Sequence, residues 1–307
     1  MAVDGDINES AAPVTVDGGA VDVCIVSFNS ASVLTESFES IAEHVPTARI
    51  AIREHGSDPV ALDELHRLVD ESTTTIRLEF DATNPGFGTG CNALARGGSA
   101  PWILFLNPDA RILAWPWSAT DPPPPGTVVG PLMDGAGQPE RHSGVSYRIA
   151  DEIKRSWLRR SGPRPAGTGF VSGAALLIDR ASFDRVGGFD ERYFMFYEDI
   201  DLCQRANDLG VATVIEPRWR VRHEGAHSTS RHFGESLIWS YESACRFHAD
   251  RGESLLTYRM FVSVDSALRS VLHAAKRDVA ARSAYLRLAR RSVADLLSRR
   301  TRQGRAA

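Results

Sequence analysis

Several kinds of pattern are missing from this chain of 307 residues, and each absence excludes a class of protein. The four cysteines are widely spaced and form no CxxC pair, so we expect reduced thiols in a cytoplasmic setting rather than a disulfide framework or a zinc knuckle. No segment approaches the ~18 consecutive apolar residues of a membrane span, since the clearest apolar run is Trp102 to Leu106. With 43% hydrophobic and 24% charged residues, the chain is predicted to form a globular protein with a substantial core.

Secretory-signal features are also absent at the N-terminus. Residues 1–20 are acidic and rich in small side chains, and they have neither a basic n-region nor an apolar h-region. We therefore expect a disordered leader without chemistry over residues 1–20. The remainder is predicted to form a main domain over residues 21–232 and a helical region over residues 233–307.

The net charge is only −4, but charge is unevenly distributed. Between residues 276 and 305, ten basic residues face two acidic ones, a net charge of +8, which leaves about −12 for the rest of the chain. Apolar residues recur there at helical spacing, which predicts an amphipathic basic helix. Such a helix either lies on anionic lipid at the inner face of the cell membrane or packs on the domain with its arginines in solvent. No other feature supports nucleic acid as a partner.

Strand and helix patterns alternate along the body of the chain. Val21 to Ser27 is a β-branched run that predicts a buried first strand, and Asn29 and Ser30 then signal a helix that extends to about His44. The alternation continues with strands at 49–53, 75–80 and 102–106 and a helix at 61–71. This pattern predicts an α/β fold with a mostly parallel sheet covered by helices, which binds ligands at the carboxyl ends of its strands.

A glycine-rich segment follows the predicted third strand. It runs from Asn84 to Asn92 as Asn-Pro-Gly-Phe-Gly-Thr-Gly-Cys-Asn and leads into a helix predicted to begin near Thr89. Glycines let the backbone approach a nucleotide closely, and a helix N-terminus favours anions, but an ordinary strand-to-helix turn uses similar residues. The segment is not a Walker loop, because no Gly-Lys-Ser/Thr follows.

Two further segments contain candidate metal ligands. Asp109, in the Asn-Pro-Asp that follows the fourth strand, offers a carboxylate that suits a hard cation bridging phosphates, although such turns are common without one. Residues 223–227 match the HExxH pattern of zinc peptidases, which functions only on a helix. Strand-like residues at 213–215 and 219–221 precede the pattern and Gly225 interrupts it, so we prefer a single ligand, His223, at a strand end.

An aromatic segment directly precedes an acidic cluster between Phe189 and Cys203, where the chain reads Phe-Met-Phe-Tyr-Glu-Asp-Ile-Asp. Neighbouring rings raise the pKa of a carboxyl group by desolvation and strengthen it as a proton acceptor, which makes Glu198 and Asp199 candidates for catalysis. The alternative is a helix start, since acidic residues suit the positive end of a helix dipole. These residues alone leave both interpretations open.

Seven short motifs occur in order along the chain, at 26–29, 84–92, 106–109, 171–178, 187–191, 196–199 and His223. Together they resemble the family 2 inverting glycosyltransferases of GT-A fold, nearest to the bacterial rhamnosyltransferase-like branch that builds cell-surface polysaccharide. The resemblance extends over about residues 21–231. It implies an α/β, GT-A (Rossmann-like) architecture: a mostly parallel mixed sheet flanked by helices, with a C-terminal helical extension.

The resemblance implies roles for the candidate acids. Asp109 is similar to the last acid of a DxD-type motif, through which Mg²⁺ or Mn²⁺ grips the diphosphate of a sugar nucleotide and offsets charge on that leaving group. Asn107 replaces the first acid of the motif, and His223 resembles the distal metal ligand. Asp199 corresponds to the base that takes a proton from an acceptor hydroxyl during inverting attack on the anomeric carbon, and Glu198 supports it by positioning or by acceptor contact.

The resemblance also implies a nucleotide-sugar subsite. The family usually has Asp-Asn-Gly-Ser after its second strand, where this chain has Glu54-His55-Gly56-Ser57, and Glu54 can still accept from a pyrimidine N–H although it is one methylene longer. Phe28 either stacks on the base or belongs to the core. The residues expected to bind the nucleotide sugar are Ser27, Phe28, Asn29, Glu54, Asn84, Gly86, Phe87, Gly88, Asn92, Asn107 and Asp109.

Small residues are expected near the sugar and the acceptor, where bulk would block entry. Ser172, Gly173 and Ala174 provide them, and Tyr197 closes an aromatic stretch that is expected to form the pocket wall. Residues 143–169 are interpreted either as a mobile acceptor loop or as a surface connection. Another hypothesis is that Ser228 and Arg231 fold over the diphosphate.

The resemblance leaves the donor and the acceptor open. Deoxythymidine-diphosphate rhamnose is the first choice of donor and uridine-diphosphate sugars are the second. A lipid-linked or glycan acceptor fits the basic C-terminal segment, whereas a soluble natural product fits the alternative in which that segment packs on the domain. Two other classes remain: a non-catalytic sugar-binding relative, hinted at by Glu54 and His55, and the zinc peptidase of residues 223–227.

Overall fold

Buried strands and amphipathic helices alternate through the first half of the molecule. The computed structural model describes residues 21–45, 48–72, 74–118, 120–135, 138–139, 143–144, 148–158, 169–223 and 232–303. The predicted leader over 1–20, the proposed diphosphate contacts Ser228 and Arg231, and the HExxH residues after His223 lie outside these ranges. Within them, no helix combines the length and the apolar character that crossing a membrane requires.

The first seven elements follow the predicted alternation closely. They are β1 (Val21–Ser27), α1 (Ala31–His44), β2 (Arg49–Glu54), α2 (Pro59–Glu71), β3 (Ile76–Phe80), α3 (Phe87–Arg96) and β4 (Trp102–Leu106). Helix α2 begins earlier than predicted because the Asp58 carboxylate caps it, accepting from the Ala61 N–H at 3.0 Å, and because proline suits the first helical turn. Helix α3 begins at Phe87 rather than near Thr89.

The second half adds further strands and a C-terminal helical region. The elements are β5 (Ala110–Ala114), β6 (Thr127–Gly135), β7 (Gln138–Pro139), β8 (Ser143–Gly144), α4 (Ile149–Leu158), β9 (Phe170–Val171), β10 (Ala175–Asp179), α5 (Arg180–Val186), α6 (Glu198–Asp208), β11 (Ala212–His223), α7 (Phe233–Asp250), α8 (Leu255–Ala275) and α9 (Val279–Gln303). The strand segments predicted at 213–215 and 219–221 are parts of one strand, β11. Its pairing with β6 shifts register between Glu216 and Arg220.

The sheet is mixed, in the order β3-β2-β1-β4-β10-β6-β11-β5 among the described residues. Strands β3, β2, β1 and β4 pair in parallel. Strand β10 then runs antiparallel between β4 and β6, while β11 is parallel to β6 and antiparallel to β5. The two reversals around β10 place the carboxyl ends of β1, β2, β4 and β11, and the amino end of β10, at the same edge.

Both faces of this sheet are buried, which explains the uninterrupted apolar run in β4. Successive side chains of a strand point to opposite faces. Trp102 and Leu104 pack on the side of α1 and α2, whereas Ile103 and Phe105 pack on the side of α3, α5 and α6. A strand covered on both faces needs no polar alternation.

A buried ion pair fixes the opposite edge of the sheet, away from the predicted site. Asp22, in β1, accepts hydrogen bonds from the guanidinium of Arg180 at 2.7 Å and from the Ala100 N–H at 2.8 Å. Arg180 also donates to the carbonyl oxygens of Ala100 and Ala95. This pair therefore ties β1 to the end of α3, the start of β4 and the start of α5.

Asp22→Ala is expected to lower the free energy of unfolding by about 3 kcal/mol, because Arg180 then remains largely buried without its counter-charge. Urea denaturation measures the loss. The control is Glu36→Ala, whose partner Arg111 lies 3.5 Å away with both side chains exposed, so a loss of at most about 1 kcal/mol is expected. Equal losses in the two variants would contradict the role of the Asp22 pair.

Candidate active site

One edge of the sheet collects most of the predicted site residues. Because β10 runs antiparallel to β4, its first residue, Ala175, pairs with Leu106 at the end of β4. Asn107 continues this contact, and its N–H donates to the carbonyl oxygen of Ala174 at 2.9 Å. The small-residue segment 172–174 and the Asn-Pro-Asp turn are therefore adjacent.

The Asn-Pro-Asp turn faces the end of strand β11. His223 pairs with Ala110 across the β5–β11 ladder, which sets its ring beside the turn. Nε2 of His223 lies 3.2 Å from Oδ1 of Asp109 and 3.3 Å from Nδ2 of Asn107. The side chains of Asp109 and His223 are only 11% and 9% exposed. The Ala110 N–H closes the turn by donating to the carbonyl oxygen of Asn107, and Ala110 is also the residue that pairs with His223. The turn and the candidate ligand are therefore joined through Ala110.

The residues at this turn fit a divalent cation as a partial site. A carboxylate oxygen and an imidazole nitrogen this close can share one cation, and carboxylate oxygen suits Mg²⁺ and Mn²⁺. Among the described residues, no group of three or more His, Cys, Asp or Glu side chains could hold a metal ion. Asp109 and His223 would therefore supply two protein ligands, with phosphate and water oxygens completing the shell, as Mg²⁺ commonly requires.

Asp199 lies at the first turn of α6, directly against the small-residue segment. Its Oδ2 accepts from the Gly173 N–H at 2.8 Å, and its Oδ1 accepts from the Ile200 N–H at 2.8 Å. A Cβ atom added at Gly173 would lie 3.0 Å from the ring of Phe87 and 3.5 Å from the Cβ of Asp199. Glycine at 173 therefore leaves room for the carboxylate and for the start of α3.

The backbone turns sharply just before Asp199. Phe196 and Tyr197 have φ values of +69° and +68°, so two consecutive residues with side chains adopt the left-handed conformation. Such residues cost roughly 1–3 kcal/mol each and persist only where the surroundings hold them. The Ser243 hydroxyl contributes by donating to the carbonyl oxygen of Met195 at 2.9 Å.

A polar network under α7 also holds this turn. The Tyr197 hydroxyl donates to Oε1 of Glu152 at 2.7 Å, and Oε2 of Glu152 lies 3.0 Å from Nε2 of the fully buried His248. Tyr258 donates to the same Glu152 at 3.4 Å, and Nδ1 of His248 contacts Glu253. Tyr197 is almost fully buried here, which does not support its predicted place in the sugar and acceptor pocket.

Glu198 is the carboxyl group that the hydrophobic surroundings perturb. Its side chain is buried, and a Cβ atom added at Gly88 would lie 3.6 Å from the Glu198 Cβ. Burial, with the neighbouring Asp199 charge as a second cause, raises the pKa of Glu198 well above the usual carboxyl range. Its Oε2 has no hydrogen-bond partner in the part of the chain that the structure describes. This geometry favours positioning of the α6 start over contact with an acceptor.

The glycine-rich loop docks on the aromatic run. Gly86 has φ +100°, and a Cβ atom there would lie 2.2 Å from the carbonyl oxygen of Phe194, which accepts from the Phe87 N–H at 3.1 Å. A Cβ atom at Gly88 would lie 3.0 Å from Phe189. Close protein packing thus accounts for these glycines, and nucleotide binding by the loop stays a prediction.

Asn92 fastens α3 to the same run. Its Oδ1 accepts from the Phe189 N–H at 2.9 Å, and its Nδ2 donates to the Phe189 carbonyl oxygen at 2.8 Å and to Glu191 at 3.0 Å. The amide is buried and engaged on both sides. The structure therefore gives Asn92, which the sequence suggested for nucleotide-sugar binding, a packing role.

The turns after β1 and β2 are joined to each other. Asn29, with φ +50°, donates its N–H to the Ser57 hydroxyl at 2.6 Å and accepts from the Asp58 N–H at 2.9 Å. The Ser27 hydroxyl is buried and lies 3.1 Å from that of Ser30. Phe28 is half-buried, which leaves ring surface for the predicted base stacking.

Glu54 and His55, the unusual pair at the end of β2, are both buried. Oε1 of Glu54 accepts from the Ser57 N–H at 2.6 Å, and the side chain is 1% exposed. His55 is equally buried, burial lowers its pKa, and Asn84 hydrogen-bonds its side chain. A Cβ atom at Gly90 would lie 2.8 Å from the His55 ring. His55 therefore fills the space beneath α3, a role that sequence reasoning missed.

Sequence comparison with curated proteins identifies the family of this chain. No protein-family model matches the chain. It is 30% identical over 210 residues to the N-acetylglucosaminyl-diphospho-decaprenol L-rhamnosyltransferase of Mycobacterium tuberculosis, a match that covers 57% of this chain and 67% of that protein. The chain belongs to the family 2 inverting glycosyltransferases. Within them it falls in the rhamnosyltransferase-like branch, since it is also 34% identical over 97 residues to the rhamnosyltransferase WbbL of Escherichia coli, covering 32% of this chain and 36% of WbbL.

Solved structures show the fold of this glycosyltransferase. GalNAc-T7 with UDP, GalNAc and Mn²⁺ matches 66% of this chain and 43% of its own, with a TM-score of 0.55 and 17% identity. The mannosyltransferase PcManGT of Pyrobaculum calidifontis, in complex with GDP-Man and Mn²⁺, matches 91% of this chain and 75% of its own, with a TM-score of 0.53 and 14% identity. These likenesses confirm the predicted GT-A fold.

Among the predicted residues of this glycosyltransferase, two sets differ clearly in their surroundings. Asp199, Gly173, Asn107, Asp109 and His223 come together at the sheet edge. The residues that pack internally instead are Glu54, Gly86, Gly88, Asn92, Tyr197 and Glu198. Sequence reasoning missed the network around Glu152, whose partners are 45 to 106 positions away.

Glu198→Gln is expected to make the stability of this glycosyltransferase less dependent on pH. With its raised pKa, folded Glu198 keeps a proton that the unfolded chain, with an ordinary value near 4.5, has already released. The folded state then binds more protons, so wild-type stability falls as the pH rises from that value through the higher folded pKa. Glutamine has no such proton, so the Tm of Glu198→Gln relative to wild type should rise between about pH 5 and about pH 8.

The exposed Glu39→Gln, in α1, is the control for this titration. Its Tm relative to wild type should stay nearly constant over the same pH range. A Tm difference for Glu198→Gln that is equally constant would show that Glu198 does not hold its proton in the folded state.

Proposed function

We propose that this enzyme transfers L-rhamnose from deoxythymidine-diphosphate rhamnose to an acceptor hydroxyl with inversion, as a metal-dependent step of cell-surface polysaccharide or glycolipid synthesis. One observation carries the proposal. Gly173 donates its N–H to Asp199, and the next residue, Ala174, accepts from Asn107 in the Asn-Pro-Asp turn. Two consecutive residues thus bridge the proposed base and the turn that contains Asp109.

The names of the relatives support the choice of sugar and acceptor. The mycobacterial protein is named as an L-rhamnosyltransferase that acts on a decaprenol-linked diphosphate sugar, and WbbL is named as a rhamnosyltransferase. A lipid-linked acceptor places the present enzyme in the cytoplasm at the inner face of the membrane. Uridine-diphosphate sugars are the second choice of donor, and glycans or soluble aglycones are other acceptors.

The chemistry assigned to Asp199 is proton transfer. Backbone N–H groups of Gly173 and Ile200 each bind one carboxylate oxygen, which fixes the carboxylate plane while leaving further lone pairs for an acceptor hydroxyl. Asp199 takes the hydroxyl proton as that oxygen forms its bond to the anomeric carbon, and the bond to the diphosphate oxygen breaks on the opposite side. The carboxylate therefore ends protonated, the new glycosidic bond has inverted configuration at the anomeric carbon, and the nucleoside diphosphate leaves.

The chemistry assigned to Asp109 and His223 is capture of the donor diphosphate. These two side chains would hold Mg²⁺ or Mn²⁺, which supplies positive charge against the departing diphosphate when bound. Asn107 lies within 3.3 Å of the His223 ring and orients it. A metal ion bound at Nε2 would replace this contact, because the same nitrogen faces both the Asn107 amide and Asp109.

Asp199→Asn is expected to lower turnover by ~10²–10⁴-fold while donor binding is kept, because the proton acceptor is removed and the proposed diphosphate site at Asp109 and His223 is unchanged. Release of nucleoside diphosphate in the presence of acceptor measures turnover, and the donor-induced rise in Tm measures binding. Asp208→Asn, an exposed acid at the far end of α6, is the control and should retain wild-type turnover. Near-normal turnover of Asp199→Asn would refute the assignment of the base.

Asp109→Asn is expected to weaken Mn²⁺ binding roughly 10-fold or more, because a charged oxygen ligand is lost. Titration calorimetry with Mn²⁺ and nucleoside diphosphate measures this without turnover. Asp134→Asn, at a partly exposed acid of β6, is the matched control. Unchanged Mn²⁺ affinity in Asp109→Asn would remove the metal from the proposal while leaving the role of Asp199 intact.

A thermal-shift screen of nucleotide sugars with Mn²⁺ identifies the donor. A ligand that binds only the native state raises the free energy of unfolding by RT ln(1 + [L]/Kd). The nucleobase follows from shifts among nucleoside diphosphates, and the sugar from shifts among sugars on one base. A donor that binds but releases no nucleoside diphosphate with any acceptor or with water would favour the non-catalytic sugar-binding alternative.

A further inference from the structure

Helix α8 presents an outward face without charge. Its exposed residues are Leu256, Thr257, Met260, Val264, Ala267, Leu268, Val271, Leu272, Ala274 and Ala275. The charged residues of the helix are partly buried and engaged elsewhere: Arg259 donates to the Asp295 carbonyl oxygen in α9, and Arg269 pairs with Asp265. Amphipathic surface helices normally direct charge outward, so this arrangement is the reverse of the usual one.

The apolar side chains form one continuous ridge. Leu256, Met260, Val264, Leu268 and Leu272 follow each other at intervals of four, and each is 52% to 61% exposed. At 1.5 Å per residue the ridge is about 24 Å long. The opposite side of the helix is already buried. Exposed apolar patches of this extent mark an interaction surface.

Helix α9 gives this ridge a basic border. The two helices form an antiparallel hairpin, in which the Ser263 and Ser292 hydroxyls lie 2.8 Å apart and Ser270 donates to the Arg282 carbonyl oxygen. Between residues 276 and 298 one acidic residue, Asp278, is exposed. The exposed basic residues over the same range are Lys276, Arg277, Arg282, Arg287 and Arg290, together with Arg291, which pairs with Glu242 of α7 at 2.9 Å.

The sequence predicted an apolar surface and a basic surface on one helix, whereas the structure distributes these surfaces over α8 and α9. In α9 the residues Ala284, Leu288 and Ser292 are buried against the protein, so α9 packs on the domain with its arginines outward. Helix α9 itself exposes Val279, Val293 and Leu297, but the longer continuous apolar surface belongs to α8. Apolar surface and positive charge therefore lie side by side on one hairpin.

We infer that the apolar ridge of α8 inserts into the surface of an anionic phospholipid bilayer, with the basic border of α9 bound to the headgroups. Charge decides between this occupant and a second copy of the chain. Pairing two copies through the ridge would bring two basic borders together, whereas anionic headgroups neutralise them. Basic amphipathic surfaces of this kind bind through buried apolar area together with attraction to anionic lipid.

Flotation of the full chain with phospholipid vesicles tests the inference without any sugar or acceptor, so its outcome is independent of the proposed reaction. We expect binding to vesicles of equal phosphatidylcholine and phosphatidylglycerol, and weaker binding to phosphatidylcholine alone or at high salt. The double variant M260Q/L268Q should bind the anionic vesicles roughly 10-fold or more weakly, because two apolar side chains no longer leave water. Glutamine is a good helix former, so the fold should persist.

Two further variants sharpen the result. V60Q/L209Q removes two exposed apolar side chains elsewhere and should bind like wild type. K276Q/R282Q should lose most of the preference for anionic vesicles. The inference would be overturned if the wild-type chain did not bind anionic vesicles, or if M260Q/L268Q bound them as strongly as the wild type. Light scattering that shows a dimer in wild type and a monomer in M260Q/L268Q would overturn it in favour of a second copy.

Discussion

The proposed active-site edge depends on two glycines around which the chain packs so closely that a larger residue would displace its neighbours. At Gly86 the chain meets the Phe194 carbonyl group, and at Gly173 it lies between Phe87 and Asp199. These two contacts bring α3, the aromatic run and the start of β10 to a common point. The direction of the Asp199 carboxylate follows from them, because the Gly173 N–H binds one of its oxygens. Even a methyl group at Gly86 would require the backbone to move.

Local sequence and topology predict a large part of this arrangement. The β-branched run of β1 and the apolar run of β4 define strands within a residue of their observed bounds. Strand alternation puts Asp109 and His223 at strand ends, and the resemblance to the glycosyltransferases linked them as metal ligands before any distance was known. The links that escaped prediction join distant positions. Nothing local about Glu152 indicates that it meets Tyr197 and His248.

Backbone conformation was the other limit. Phe196 and Tyr197 both adopt positive φ, and neither residue type favours it, so no propensity argument could have placed a reversal there. The same limit explains Glu198 and Tyr197, whose side chains were expected near the substrates. The reversal directs both into the interior, whereas Asp199 accepts a hydrogen bond from the small-residue segment at Gly173.

The network around Glu152 connects the C-terminal helices to the proposed catalytic site. Tyr197 is held through Glu152 by His248 of α7 and Tyr258 of α8, so the strained reversal before Asp199 is clamped from outside the sheet. A shortened enzyme that ended before α7 would lose this clamp and allow the reversal to relax. Under the two proposals, membrane binding and proton abstraction would then be lost together, although no residue proposed to contact a sugar had been removed. The helical region is thus a brace for the proposed base as well as a candidate anchor.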